Sequence, residues 1–248
     1  MGELRGVALR RPKQSDLDLA LAVARSGVRS VRSSLRQRSV PRAIDVYSPA
    51  RVGGCELRPL RLTDQESWTR SMRANESRMR PWWPPVDDWQ KATDAVAFVD
   101  HYRAWRRRTL EGAGLPLVVA GPEGVLGEIT LWNLARGGHT GEAGIWLYPK
   151  ISRRKFLPLW GSFFDNCFGN LGLDYITSPV AVGNAGPLQL IGILHAEKVA
   201  TIPGGREVGG HAHDMDVYTL PRETWQRRRV ELFAEFPWPR VTKGLTAL

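Results

Sequence analysis

Residues 142–172 read E-A-G-I-W-L-Y-P-K-I-S-R-R-K-F-L-P-L-W-G-S-F-F-D-N-C-F-G-N-L-G. The apolar stretch Ala143 to Tyr148 predicts a short strand. A basic, proline-punctuated turn follows, and then Trp160, Phe163, Phe164, Cys167, Phe168 and Leu171 recur at i, i+3, i+4, i+7, i+8 and i+11. That spacing predicts a helix with one buried face. A strand running through a tight turn into a helix N-terminus leaves backbone N–H groups and the positive end of the helix dipole open to a phosphate.

The pattern upstream adds helices and antiparallel strands. Cys55 to Leu60 reads as a first strand, and Thr63-Asp64-Gln65-Glu66 as a capping box opening a helix to about Ser77. Arg80-Pro81-Trp82-Trp83-Pro84-Pro85 predicts a rigid aromatic loop. Thr93 is expected to cap a second helix, with Ala95, Val96, Val99, Tyr102 and Trp105 on one face. Leu115–Ala120 and Val125–Leu134 flank Gly121-Pro122-Glu123-Gly124, a hairpin signal. Gly137-Gly138 then turns the chain into the strand that begins at Glu142.

Downstream, Tyr175 to Val182 is rich in β-formers, and Asn184 with Pro187 opens a helix through about Lys198. Val199–Ile202 and Met215–Leu220 predict a final hairpin, and Trp225–Glu235 a short basic helix. The sum is an α+β fold with a mixed, mostly antiparallel sheet of about seven strands flanked by helices.

Composition narrows the class. A hydrophobic content of 42% and ten tryptophans suffice for a sizeable core in 248 residues. No apolar run reaches the length of a membrane span, and no signal peptide is read at the N-terminus, so a soluble cytoplasmic protein is expected. Two scattered cysteines, Cys55 and Cys167, form no disulfide framework, which fits a reducing compartment.

The net charge of +10 is uneven: residues 1–54 hold eleven Arg or Lys against four acids, and the other 24 bases nearly balance 21 acids. Apart from one expected helix at Ser15–Arg25, the first 54 residues are predicted to be a basic, disordered leader. The folded domain is placed at 55–225 and a C-terminal tail at 226–248. Tyr47 is the one aromatic residue among the leader's arginines, too few for a stacking platform, so a nucleic-acid module is disfavoured.

Seven phrases in order resemble the GNAT N-acyltransferases, in particular their branch of ribosomal-protein N-terminal acetyltransferases. They are L-R-P-L-R-L-T-D at 57–64, R-P-W-W at 80–83, G-E-I-T-L-W-N at 127–133, E-A-G-I-W-L at 142–147, F-G-N-L-G-L-D-Y-I at 168–176, V-G-N-A at 182–185 and H-D-M-D-V-Y at 213–218. The resemblance implies transfer of an acetyl or other acyl group from acyl-CoA, with acetyl-CoA as cosubstrate, to a primary amine such as a protein N-terminus. It implies that Ile145, Trp146 and Leu147 lie on the strand that pairs with pantetheine, and that Asn184 adjoins the cofactor. Glu142 is implied as the proton acceptor, with Glu128 as the second candidate. Trp82 and Trp83 are implied as walls of the acceptor pocket.

The chain departs from the family at three points. The pyrophosphate turn, Lys150-Ile151-Ser152-Arg153-Arg154-Lys155-Phe156, has no glycine, so Arg153, Arg154 and Lys155 are expected to contact phosphates through their side chains. Pro187 stands where a hydroxyl-bearing acid is expected, and His195-Ala196 replaces the usual end of that helix, with His195 a substitute acid. A catalytically degenerate binding or regulatory module therefore remains the alternative at this point. His211, His213, Asp214 and Asp216 lack a convincing further ligand, and no metal is assigned.

Overall fold

The computed structural model describes residues 43–134, 139–148 and 151–238. The leader before Ala43, the Gly137-Gly138 turn, Lys150 and the last ten residues lie outside the described residues.

In chain order the elements are α1 (Ala43–Val46), β1 (Ala50–Val52), β2 (Cys55–Pro59), α2 (Gln65–Ala74), α3 (Glu76–Met79), α4 (Trp89–Ala92), α5 (Ala95–Leu110), β3 (Leu115–Gly121), β4 (Gly124–Trp132), β5 (Thr140–Leu147), α6 (Arg153–Asp165), β6 (Tyr175–Ala181), α7 (Ala185–Leu194), β7 (Glu197–Val208), β8 (His211–Pro221) and α8 (Arg222–Glu235). They build one sheet in the order β1-β2-β3-β4-β5-β6-β8-β7, antiparallel except at β5–β6. The eighth strand, beyond the expected seven, is β1, whose three residues pair with β2.

Alternation along the strands sends side chains to two cores, one on each face. Leu57, Leu117, Ile129 and Leu131 pack against α6 and the C-terminal segment, while Val118 and Val125 pack with Trp68, Met72, Trp89 and Phe98 of the helices on the other face.

Several local expectations change for physical reasons. Thr63 is exposed and does not cap α2. Asp64 is buried instead, accepts from the Arg61 N–H at 2.8 Å and holds the Arg58 guanidinium at 2.7 and 2.9 Å. Thr93 donates to the Trp89 carbonyl at 2.7 Å and closes α4; its neighbour Asp94, in extended conformation, caps α5 by accepting from the Ala97 N–H. The helix expected to reach Lys198 stops at Leu194, where His195 takes a left-handed conformation (φ +55°) and the chain turns directly into β7.

The expected single buried face of α6 becomes burial on every side, from Phe156 through Phe164. The sheet covers one side and the C-terminal segment the other, with Trp225 and Trp238 stacked 6.2 Å apart. Packed elements therefore cross both expected domain edges. Ala43, Tyr47 and Ala50 are buried ahead of Cys55, and α8 runs ten residues past Trp225 to Glu235.

Candidate active site

The parallel pairing of β5 and β6 is short: Thr140↔Tyr175, Gly141↔Ile176 and Glu142↔Thr177. Beyond Glu142, β5 stays paired to β4 through Leu147, and β6 to β8 through Ala181. The two strands thus part company along a notch that opens toward their C-terminal ends. β5 leads into α6 and β6 into α7, so both helix N-termini stand at the mouth.

Strand parity decides what each β5 residue can offer there. The Tyr148 N–H donates to the Leu126 carbonyl, and the Thr130 hydroxyl donates to the Gly144 carbonyl, so the even-numbered backbone groups point to β4. The Gly141 carbonyl accepts from the Thr177 hydroxyl on β6. Ala143, Ile145 and Leu147 therefore turn their N–H and C=O groups into the notch while their side chains pack on the α6 core.

At the mouth, Ser152 precedes α6 in extended conformation without capping it through its side chain. Uncapped N–H groups and the dipole make this terminus favourable to an anion. Among the described residues the only non-glycine positive φ values are at Asn133 and His195, so Arg153, Arg154 and Lys155 need no glycine to turn the chain. All three are exposed. They diverge, however. Arg153 lines a cleft of about 550 Å³ between α6 and α7, with Phe156, Leu157, Leu190, Ile193 and Arg228 of α8. Lys155 leans the other way, since a side chain at Gly53 in the β1–β2 turn would meet its Cγ at 3.4 Å.

On the face opposite α6 lie both carboxylates singled out in the sequence, in unlike settings. Glu128 on β4 is 2% exposed and accepts from Trp68 Nε1 at 2.8 Å and Trp146 Nε1 at 3.2 Å. His101 Nε2 of α5 completes the shell at 3.1 and 3.2 Å. Burial pulls the His101 imidazolium down, and Arg108 adds to that; the charge and hydrogen bond of Glu128 outweigh both, leaving His101 above its ordinary value. Glu142 is less enclosed, at the closed end of the notch. Its Oε2 accepts from Asn133 Nδ2 at 3.0 Å, and its Oε1 lies 3.6 Å from Arg206 Nη2 of β7. Trp132, stacked on Trp105, supports the Arg206 guanidinium at 5.9 Å.

The family model described as "Acetyltransferase (GNAT) domain" matches residues 55–194, more than half of the chain. The chain belongs to the GNAT acetyltransferase family. GNAT members are acyl-CoA-dependent N-acetyltransferases with acetyl-CoA as the acyl donor. Solved structures share the fold at low identity. RimJ of Mycobacterium smegmatis in complex with CoA-disulfide is 20% identical, with TM-score 0.68 over 77% of this chain and 94% of that one. The ribosomal-protein-S5-alanine acetyltransferase of Vibrio fischeri is 14% identical, with TM-score 0.63 over 72% and 98%. The spermidine/spermine N-acetyltransferase SpeG of Vibrio cholerae is 17% identical, with TM-score 0.55 over 71% and 99%. No curated protein matches the chain by sequence.

Read as a GNAT site, the geometry sorts the expected residues. Ile145 and Leu147 present backbone to the notch, whereas the Trp146 backbone faces β4 and its indole is anchored on Glu128. Asn184 is half-buried in the turn after β6, at the mouth. Trp82 and Trp83 part: Trp82 packs with Ala181, Val208 and Met215, and Trp83 meets Trp89 edge-on at 6.0 Å. Their loop bridges the two halves of the sheet. His195 sits at the C-terminal end of α7, a helix length from the mouth. Asp216 is engaged by Lys198 and Thr201, and Asp214 accepts from the Gly204 N–H.

Four further residues reach the site: Arg228, His101, Asn133 and Arg206. His101 was legible, three residues after Phe98 and four before Trp105 on the apolar face of α5. Arg206 and Arg228 were not, because only tertiary folding brings them to the site.

Proposed function

We propose that this GNAT member acetylates primary amines, with a protein N-terminus as the acceptor. The observation that carries this reading is the notch itself: three parallel pairs at its closed end, the free backbone edge of Ala143, Ile145 and Leu147, and an uncapped helix terminus at its mouth. The residues present fit the donor. Ile145 and Leu147 pair with its pantetheine arm through the main chain. The α6 N-terminus with Arg153 and Arg154 holds the phosphates, Arg228 adds a cation, and Asn184 closes the other side of the mouth. The apolar wall of Phe156, Leu157, Leu190 and Ile193 receives the remainder of the nucleotide end.

Acetyl-CoA supplies an already activated thioester, so the protein's tasks are to position, to accept a proton and to exclude water. Glu142 is the base, because its carboxylate stands at the closed end of the notch and is less enclosed than Glu128. It takes one proton from the acceptor ammonium. The neutral amine then attacks the thioester carbonyl; the N–C bond forms, the C–S bond breaks, and the second nitrogen proton leaves toward the thiolate. Glu128, with its oxygens engaged by three N–H groups, positions Trp146 and hence the notch strand. Trp83 and Trp82 hold the loop that walls the acceptor side.

The test is acetyl transfer to an alanine tripeptide amide, followed by mass spectrometry. Wild-type protein should yield the N-acetylated peptide, and Glu142→Gln should lower kcat on the order of a hundredfold with CoA affinity little changed. Equal rates in the two proteins would remove Glu142 as base.

A further inference from the structure

Arg206 has no business near Glu142 in a flat sheet. β7 lies three strands from β5, about 14 Å across at the usual spacing. Glu142 is level with Thr177 and hence Thr219, while Arg206 is level with His213, six residues away. That adds about 20 Å along the strands. Yet the two side chains are 3.6 Å apart. The β7–β8 hairpin must therefore fold back over the notch.

The chain contains the means to do so. The β7–β8 register breaks between Ile202 and Arg206, leaving Pro203, Gly204 and Gly205 outside the ladder, with Gly204 at φ +56°. An irregularity of this kind bends a strand and increases its twist. The tip is then pinned: the Gly209 N–H donates to the Trp83 carbonyl at 2.8 Å, and His213 lies 5.7 Å from Trp82. A side chain at Gly209 would meet the Pro81 carbonyl oxygen at 2.7 Å, so the contact of tip and loop is close.

We propose that Arg206 occupies the place of the acceptor ammonium, and that an amine gains Glu142 by displacing it. This rests on the reading of Glu142 as the acceptor-side carboxylate. The guanidinium has the features that a cationic amine would need: a carboxylate at ion-pair distance, the Trp132 face beneath it, and partial access to solvent. The Glu142 side chain is 14% exposed and that of Arg206 47%, so the covering cation is the partner that solvent and an incoming amine reach first. Arg206 is thus a specificity-determining residue. It favours acceptors that bring a positive charge and enough further contact to lift the hairpin tip, and it keeps Glu142 paired when no acceptor is present.

The test is binding, without turnover, of an alanine tripeptide amide to the full chain by calorimetry at neutral pH. Arg206→Ala should bind the free-amine peptide roughly fivefold more tightly than wild type, the worth of a partly exposed ion pair. Arg206→Lys, which keeps the cation, should bind like wild type, and the N-acetylated peptide should gain nothing from either change. Equal or weaker binding by Arg206→Ala, or an equal gain for the N-acetylated peptide, overturns the proposal. If the gain appears while no acetyl transfer is detected, the Arg206 assignment stands and the transferase reading falls. If transfer occurs with unchanged affinity, the reverse holds.

Discussion

His101 and Glu128 form an ion pair inside the sheet's helical face, and its energetics depend on pH. The folded state raises the His101 pKa above 6.5, so folding binds a proton more tightly there than the unfolded chain does. The pair's stabilisation is fully present below pH 6.5 and is lost as pH rises through the raised value. Groups facing the imidazole are Glu128, Arg108 and the Trp68 and Trp105 rings. Glu128→Gln should remove the counter-charge while burial remains, so His101 should titrate below 6.5 in the variant and above it in the wild type by NMR. An unchanged titration would mean that Glu128 does not hold the imidazolium. At this scale the sequence was half legible. The two carboxylates could be named from their phrases, with Glu142 placed first, but the saturation of Glu128 could not be seen, because its donors come from α2, α5 and β5. Trp146 differs from Ile145 and Leu147 in a way that only the hydrogen-bond phase shows: its backbone faces β4 and theirs the gap.

α6 is the element on which the fold turns, and its outer side is closed by the C-terminal segment. Asp165, with 9% of its side chain exposed, accepts from Trp225 Nε1 at 3.2 Å, Trp238 Nε1 at 2.8 Å and Arg229 at 2.7 and 2.9 Å. Gly161 makes room for the Trp238 ring, which would stand 2.8 Å from an added Cβ. Asp165→Ala leaves Arg229 and two indole N–H groups without their acceptor and should destabilise the protein by about 3 kcal/mol. Chemical denaturation would measure this, and a cost below about 1 kcal/mol would show that the segment docks by apolar contact alone. The helix and its apolar period were readable from spacing. Its second buried side was not, because Trp225 reads as the start of a short basic helix and Trp238 as part of the tail until they are seen stacked against it.

For the whole molecule, order begins before the first sequence signal for a strand. The Tyr47 hydroxyl donates to the Leu57 carbonyl, and Asn166 and Asn170 in the turn after α6 bind the backbone of Ser48 and Val46. Short, polar-flanked segments such as Ala43–Val52 carry no period long enough to betray this, since their anchors lie more than a hundred residues downstream. Removing residues 1–42 should leave cooperativity and melting temperature unchanged, while removing 1–54 strips β1 and buried Ala43, Tyr47 and Ala50 and should lower the melting temperature markedly. Calorimetric melts of the two truncations check this, and equal melting would return the boundary to Cys55.

The seven phrases marked the family and its α+β fold, because main-chain pairing and core alternation survive where glycines do not. The claim on which the rest depends is that the notch and the α6 terminus bind acetyl-CoA without those glycines. Calorimetric titration of acetyl-CoA into the full chain tests it most directly, with Arg153→Ala/Arg154→Ala alongside and salt varied. The account predicts saturable one-to-one binding that weakens with salt and in the double variant, and a melting transition stabilised by about 2.7 kcal/mol at a hundred times the Kd. No heat and no shift in melting with saturating acetyl-CoA would contradict it.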